Sequence, residues 1–109
     1  MQYTLIISSD ADDHAPARRA LGFARALMSS RSHSLKQVFF YAQAARSAMQ
    51  DEHQREWRTL VSANVAELII CSASADRMGI DVAPEGFTLA GLGALIESGV
   101  ESDRVLNFV

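Results

Sequence analysis

Three short apolar runs constrain the fold of this chain most, because none of them alternates strictly with polar residues. They are YTLII at residues 3–7, VFFY at 38–41 and LII at 68–70. A strand with one solvated face shows strict alternation, whereas a continuous run of β-branched and aromatic residues is typical of a strand covered on both faces. These runs therefore predict a sheet that lies between layers of helix.

Helical patterns fill the segments between these runs. In residues 16–30, apolar side chains recur at three- and four-residue spacing, and arginines occupy the opposite side. Residues 55–63 indicate a second helix, with Trp57, Leu60 and Val61 on its inward side. The preceding segment AQAARSAMQ fits either a loop or an earlier start of that helix.

The rest of the chain contains shorter elements. They are a helix or turn at 72–78 ended by Gly79, a loop at 81–86, a strand at 87–89, a helix at 92–98 and a strand at 105–108. Strands that alternate with helices are joined by crossovers, which make them parallel. We predict one domain over residues 1–109, an α/β three-layer sandwich with a mostly parallel sheet of four or five strands and helices on both faces. The length and the hydrophobic content of 49% fit a single domain.

Charge and composition argue against several functional classes. The net charge of −3 disfavours direct nucleic-acid binding, which normally needs a clustered excess of Lys and Arg. The beginning MQYTLIISSD lacks the features of a secretory signal, and no window is as apolar as a membrane span, so we expect a soluble, cytoplasmic protein. A single cysteine makes neither an internal disulfide nor a thiolate zinc site on its own.

That single cysteine, Cys71, ends the third apolar run. In open parallel sheets, ligands gather at the carboxyl ends of the strands. If Ser72 opens a helix there, the free N–H groups of its first turn favour the thiolate, and Arg77 adds positive charge if its segment folds back. Free cysteines are, however, among the most buried residues, so an inert packing role for Cys71 stays open beside a reactive one.

Other candidates fit structural roles better. The cluster DADDH at 10–14 lacks the spacing of an EF-hand and favours helix capping over metal binding. His33 and His53 have polar neighbours and are expected on the solvated surface, whereas Trp57 is expected in the core. GLGAL at 91–95 lacks a third glycine and predicts a strand-to-helix turn. Nothing ties a serine to a histidine as a catalytic triad requires.

Five segments carry a family pattern in their order and spacing. They are VFFY at 38–41, DE at 51–52 followed by Trp57, ELIICSASADRMGI at 67–80, GFTLAGLGALIES at 86–98 and SDRVLNF at 102–108. Together they resemble the DsrE/TusD branch of the DsrE-like family of small sulfur-relay proteins. The resemblance implies a flavodoxin-like topology.

The resemblance also implies a role for Cys71, which would accept sulfane sulfur as a persulfide and pass it to the next carrier. This sulfurtransferase chemistry needs no metal or organic cofactor. In the TusD branch, the relay serves 2-thiolation of the tRNA wobble uridine, with TusB- and TusC-like subunits and TusA- and TusE-like carriers. In the DsrE branch, it serves sulfur oxidation. The resemblance thus implies a hetero- or homo-oligomer that need not touch nucleic acid itself.

The chain departs from the family pattern mainly in its loops. SSDADDH replaces a Gly/Pro-containing loop, the segments after VFFY and after the cysteine helix are shorter, and Met78 occupies the place of a second arginine. Two alternatives to a sulfur carrier therefore remain, namely a non-catalytic scaffold subunit and a stand-alone homo-oligomeric paralogue.

Overall fold

The computed structural model describes residues 1–9, 13–62 and 66–109, which form one sheet flanked by helices. The strands are β1 (Gln2–Ser9), β2 (Ser34–Ala42), β3 (Glu67–Cys71), β4 (Phe87–Ala90) and β5 (Arg104–Phe108). The helices are α1 (Ala15–Met28), α2 (Ala45–Ala48), α3 (Asp51–Val61), α4 (Ser72–Arg77) and α5 (Leu92–Glu101).

All strand pairs of this sheet are parallel, and the strand order is β4-β3-β2-β1-β5. The chain steps from β1 to β4 in one direction and then returns across the whole sheet to β5. Because parallel crossovers are almost always right-handed, steps in opposite directions place their helices on opposite faces. The predicted three-layer α/β architecture is confirmed.

One face of the sheet, here called the four-helix face, is covered by α1, α2, α3 and α4. Its strand residues and the inward residues of the four helices form one continuous apolar core. The largest fully buried members of this core are Trp57, Phe40, Leu5, Ile7 and Ile70. This core accounts for the inward stripes predicted for the first two helices.

The other face, here called the α5 face, is covered by one helix. Among the described residues, the buried members of its apolar cluster are Phe39, Ile69 and Cys71, with Ala90 and Leu95 packed against them. Beside this cluster, a hydroxyl network joins α5 to the sheet. Thr4 Oγ1 lies 2.7 Å from Ser98 Oγ and 2.6 Å from Ser102 Oγ.

The ambiguous segment AQAARSAMQ contains a separate short helix, α2, rather than an early start of α3. Gln50 lies between the two helices with an extended backbone, at ψ 130°. The second helix begins at Asp51, earlier than predicted, and its predicted end at Ala63 lies outside the described residues. The first helix spans Ala15–Met28 instead of residues 16–30.

Two predictions that involve glycines are confirmed, the end of α4 at Gly79 and the strand-to-helix turn at 91–95. Gly79 follows α4 with φ +72°, a left-handed conformation that glycine adopts without strain and that commonly ends a helix. Gly91 is the N-cap of α5 directly after β4, so GLGAL is a strand-to-helix turn. Across the described ranges, no helix has the length and apolar character needed to span a membrane.

Candidate functional site

Cys71 lies at the carboxyl edge of the parallel sheet. It is the last residue of β3, it pairs with Ala90 of β4, and it is the N-cap of α4, which Ser72 opens. The predicted strand end and helix start are therefore both present, and the sulfur lies where parallel α/β sheets usually place their ligands.

The side chain of Cys71 is nevertheless buried, with 1% of the residue exposed. It packs with Phe39 and Ile69 on the α5 face of the sheet, and Leu95 of α5 packs against the same cluster. In this conformation the thiol is therefore enclosed. A second sulfur-bearing group reaches the sulfur only if part of this cover moves.

A buried hydrogen bond ties α4 to the end of the neighbouring strand. The fully buried Ser74 accepts a hydrogen bond at Oγ from the backbone N–H of Ala42, at 2.9 Å. Ala42 ends β2 with φ +56°, a left-handed conformation that costs free energy in a residue with a Cβ. The sequence contained no sign of this contact, because neither residue type marks a left-handed turn.

Arg77 is exposed, whereas Cys71 is buried. Arg77 lines a cavity of about 310 Å³ with Ser9, Ala42, Gln43, Arg46 and Met78. A second cavity of about 390 Å³ shares Arg46 and Met78 with it and is lined further by His14, Met49, Gln50 and Ile80. We call these two adjoining cavities the arginine groove. The groove lies at the same edge of the sheet as Cys71.

His53 is buried at 5% exposure, so its expected place on the solvated surface is wrong. Its ring lies 5.8 Å from the ring of His14, centroid to centroid. Burial, followed by the nearby His14, lowers the pKa of His53 below its usual value. The sequence did hold a signal, because His53 stands four residues before the inward-facing Trp57 and hence shares its side of α3.

Of the other two predicted positions, that of Trp57 is confirmed and that of His33 is wrong. Trp57 is fully buried in the core as expected, but His33 is half-buried, with its ring 5.6 Å from that of Tyr3. Asp13 Oδ1 accepts a hydrogen bond from the N–H of Ala15 at 3.0 Å and so supports the start of α1. Asp10 and Asp12 lie outside the described residues.

Metal-binding groups do not converge in the part of the chain that the structure describes. No group of three or more His, Cys, Asp or Glu side chains that could hold a metal ion occurs there. The His14 ring has polar neighbours instead, with Nδ1 at 2.7 Å from Ser47 Oγ and Nε2 at 2.8 Å from Gln50 Nε2. These contacts join α1 to α2 and to the residue that precedes α3.

Comparison with known proteins identifies a family and its fold. The model of the DsrE/DsrF-like family matches residues 1–108. Sulfurtransferase TusD of Cronobacter sakazakii is 36% identical, and that of Salmonella paratyphi B is 35% identical; each match covers 99% of this chain and 100% of the relative. Both alignments run over 129 positions, so this chain of 109 residues lacks at least 20 of them.

Solved structures match the same architecture. The ychN protein from E. coli superposes with a TM-score of 0.78 at 21% identity, over 99% of this chain and 100% of that one. Protein MTH1491 from Methanobacterium thermoautotrophicum also gives a TM-score of 0.78, at 20% identity, over 96% of this chain and 97% of that one. At these identities the likeness establishes the fold.

Proposed function

This chain belongs to the DsrE/DsrF-like family, and we propose that it is a sulfur-relay protein whose Cys71 carries sulfane sulfur as a persulfide. The observation that carries the proposal is the position of Cys71, between the end of β3 and the start of α4 at the carboxyl edge of the sheet. The full-length similarity to proteins named sulfurtransferase TusD supports it.

The proposed chemistry is an exchange between thiols and persulfides that balances without an oxidant. The Cys71 thiolate attacks the outer sulfur of a donor persulfide, the donor's S–S bond breaks, and the donor leaves as a thiolate. An acceptor thiolate then attacks the outer sulfur carried by Cys71, which leaves as a thiolate in turn. One sulfane sulfur atom moves at an unchanged oxidation state, so the cycle calls for neither a metal nor an organic cofactor.

The proposed pathway follows the TusD-like relatives. We infer that the relay supplies sulfur for 2-thiolation of the tRNA wobble uridine, with TusB- and TusC-like subunits and with TusA- and TusE-like carriers as donor and acceptor. Sulfur oxidation of the DsrE type is the second pathway that the family supports. In either pathway, a protein thiol and not the RNA has to reach Cys71.

Transfer requires Cys71 to become exposed, because only 1% of the residue is accessible in this conformation. The cover that has to move is thin, since Leu95 of α5 packs on the cluster of Cys71, Phe39 and Ile69 from one side. We propose that a shift of α5 uncovers the sulfur during transfer.

The experiment is mass spectrometry of the folded protein after incubation with a cysteine desulfurase, cysteine and a sulfur carrier. We expect wild type to gain the mass of one sulfur atom, which a thiol reductant removes, and Cys71→Ser to gain none. Equal gain in both proteins, or no gain in wild type, contradicts the carrier role.

A scaffold subunit without sulfur chemistry is the second candidate, and the burial of Cys71 favours it. Thiol accessibility separates the two candidates. Alkylation of Cys71 in the folded state supports the carrier, provided that it proceeds much faster than global unfolding. Protection until the chain unfolds supports the scaffold.

An exposed apolar stripe on α5 supports assembly into a hetero- or homo-oligomer. Leu92, Ile96 and Val100 repeat every four residues on the outer side of the helix and are 49%, 65% and 80% exposed. Single exposed apolar residues are ordinary, but an aligned stripe on one helix indicates an interaction surface. We expect Ile96→Glu to lower the molar mass measured by light scattering, and an unchanged mass contradicts this role of the stripe.

A further inference from the structure

The arginine groove combines cationic and apolar side chains in a concave surface. Arg46 of α2 lines both of its cavities, and Arg77 at the end of α4 lines one of them. Met49, Met78 and Ile80 contribute apolar lining. Methionine side chains adapt to irregular apolar partners, and arginine binds carboxylates through two parallel hydrogen bonds. The groove therefore offers contacts for a segment that carries both acidic and apolar residues.

Both arginines are available for a ligand. Within the described residues, neither forms an ion pair, and Arg46 donates from Nε to Gln43 Oε1 at 2.7 Å. The described residues that line the two cavities include no Asp or Glu, although the chain as a whole has a net charge of −3. Asp76, the neighbour of Arg77 in α4, does not line either cavity.

One residue of the arginine groove has a strained backbone conformation. Ala42, which lines the cavity beside both arginines, has φ +56° and donates its N–H to the buried Ser74 of α4. A non-glycine residue held in this conformation costs free energy, and such residues concentrate at functional sites. The contact fixes the end of β2, and hence the wall of the groove, against the helix that begins after Cys71.

We propose that the arginine groove binds an acidic peptide segment of a partner protein. The assignment of that partner rests on the proposed function, since the bound segment would belong to the protein that gives sulfur to Cys71 or takes it away. From Cys71 to Arg77 the chain rises along the six residues of α4, which is roughly 9 Å at 1.5 Å per residue. The sulfur itself faces α5, so a partner segment seated in the groove has to pass over the carboxyl edge of the sheet to reach it.

The test measures binding by fluorescence anisotropy with two fluorescein-labelled hexapeptides, one of alternating Glu and Leu and one of alternating Lys and Leu. We expect wild type to bind the Glu peptide at least about tenfold more tightly than the Lys peptide at low ionic strength, and added salt to weaken this binding. The double variant Arg46→Glu/Arg77→Glu should lose this preference. Both side chains are exposed, so the variant should fold, which circular dichroism checks.

The matched control is Arg31→Glu/Arg55→Glu, which changes the net charge equally at two exposed arginines outside the groove. This control should keep the preference for the Glu peptide. Equal binding of both peptides to wild type overturns the proposal, as does equal loss of binding in the two double variants. If inorganic phosphate occupies the same arginines at lower concentration than the Glu peptide, the site binds small anions and the peptide assignment is wrong.

Loading of Cys71 by glutathione persulfide separates this inference from the proposed function. Glutathione persulfide is small and needs no docking segment. If it loads Cys71 while the Glu peptide does not bind, the groove assignment fails and the carrier role stands. If the Glu peptide binds in the groove while Cys71 accepts no sulfur, the carrier role fails and the groove remains an acidic-peptide site.

Discussion

The two faces of the sheet are stabilised by different kinds of interaction. On the four-helix face, Phe40 meets Trp57 edge-on at 5.8 Å between ring centroids, within a core that every one of the four helices joins. On the α5 face, a small apolar cluster lies beside the hydroxyl groups of Thr4, Ser98 and Ser102. A large apolar core contributes far more free energy of folding than a few hydroxyl hydrogen bonds.

This difference indicates which helical layer separates from the sheet more easily. Proteins open locally where few apolar contacts resist, at a cost below that of global unfolding. Cys71 belongs to the apolar cluster of the α5 face, against which Ala90 and Leu95 pack. We expect α5 to open before any helix of the four-helix face, so the buried thiol lies in the layer that is easiest to displace.

The largest expected effect comes from Trp57→Ala, which removes the largest buried side chain of the four-helix face. Such truncations cost about 3–5 kcal/mol of the free energy of unfolding. Urea unfolding measures the loss, and Trp57→Phe, which keeps an aromatic ring in the core, should lose clearly less. A loss below about 1 kcal/mol for Trp57→Ala would mean that the four-helix face is not the stronger one.

A smaller and more local effect is expected for Leu95→Ala, which thins the cover of Cys71. We expect iodoacetamide to alkylate Cys71 about tenfold faster in the folded protein, because local opening becomes easier by about 1.4 kcal/mol. Leu60→Ala is the matched control, since Leu60 is also partly buried but packs against the core of the four-helix face. An equal acceleration in both variants would show that alkylation follows global stability and that α5 does not open separately.

The smallest expected effect is a pH dependence of the free energy of unfolding, which comes from His53 on the four-helix face. Burial and then His14 lower the pKa of His53, with Arg18 in the same direction and Glu56 and Glu52 opposed. The unfolded chain takes up a proton at a higher pH, near 6.5, so stability falls below about pH 6.5 and continues to fall until the folded His53 is protonated. We expect His53→Gln to flatten this dependence in urea unfolding between pH 7.5 and 5.5. A slope that is unchanged in the variant would assign the pH dependence to other groups.

The strands were predictable because burial on both faces leaves a continuous apolar run, and the apolar runs at 3–7, 38–41 and 68–70 are all strands. The separate helix α2 was not predictable, since alanines suit helix and loop alike and only the extended backbone of Gln50 divides α2 from α3. The thin helical cover of the α5 face could not be predicted from the sequence either. It follows from the return of the chain across the sheet after β4, which depends on strand order and not on any local pattern.

The candidate site was predictable in position but not in exposure. A cysteine that closes an apolar run at the start of a helix has to lie at the carboxyl edge of the sheet, and Cys71 does. Its cover comes from Leu95, 24 residues later in the chain, and from a face that the local sequence does not identify. The arginine groove was not predicted for the same reason, because Arg46 and Arg77 line one cavity only once α2 and α4 have packed on the sheet.

The position of β5 beside β1 has a consequence for the order in which the sheet is completed. Residues 104–108 pair with residues 3–7, and Ser98 and Ser102 supply the partners of the Thr4 hydroxyl. While β5 is unpaired, β1 is an edge strand of the sheet, and its open backbone groups invite pairing with another chain. Pairing of β5 with β1 closes that edge and fixes the chain that follows α5, the helix whose Leu95 packs on the cluster that contains Cys71.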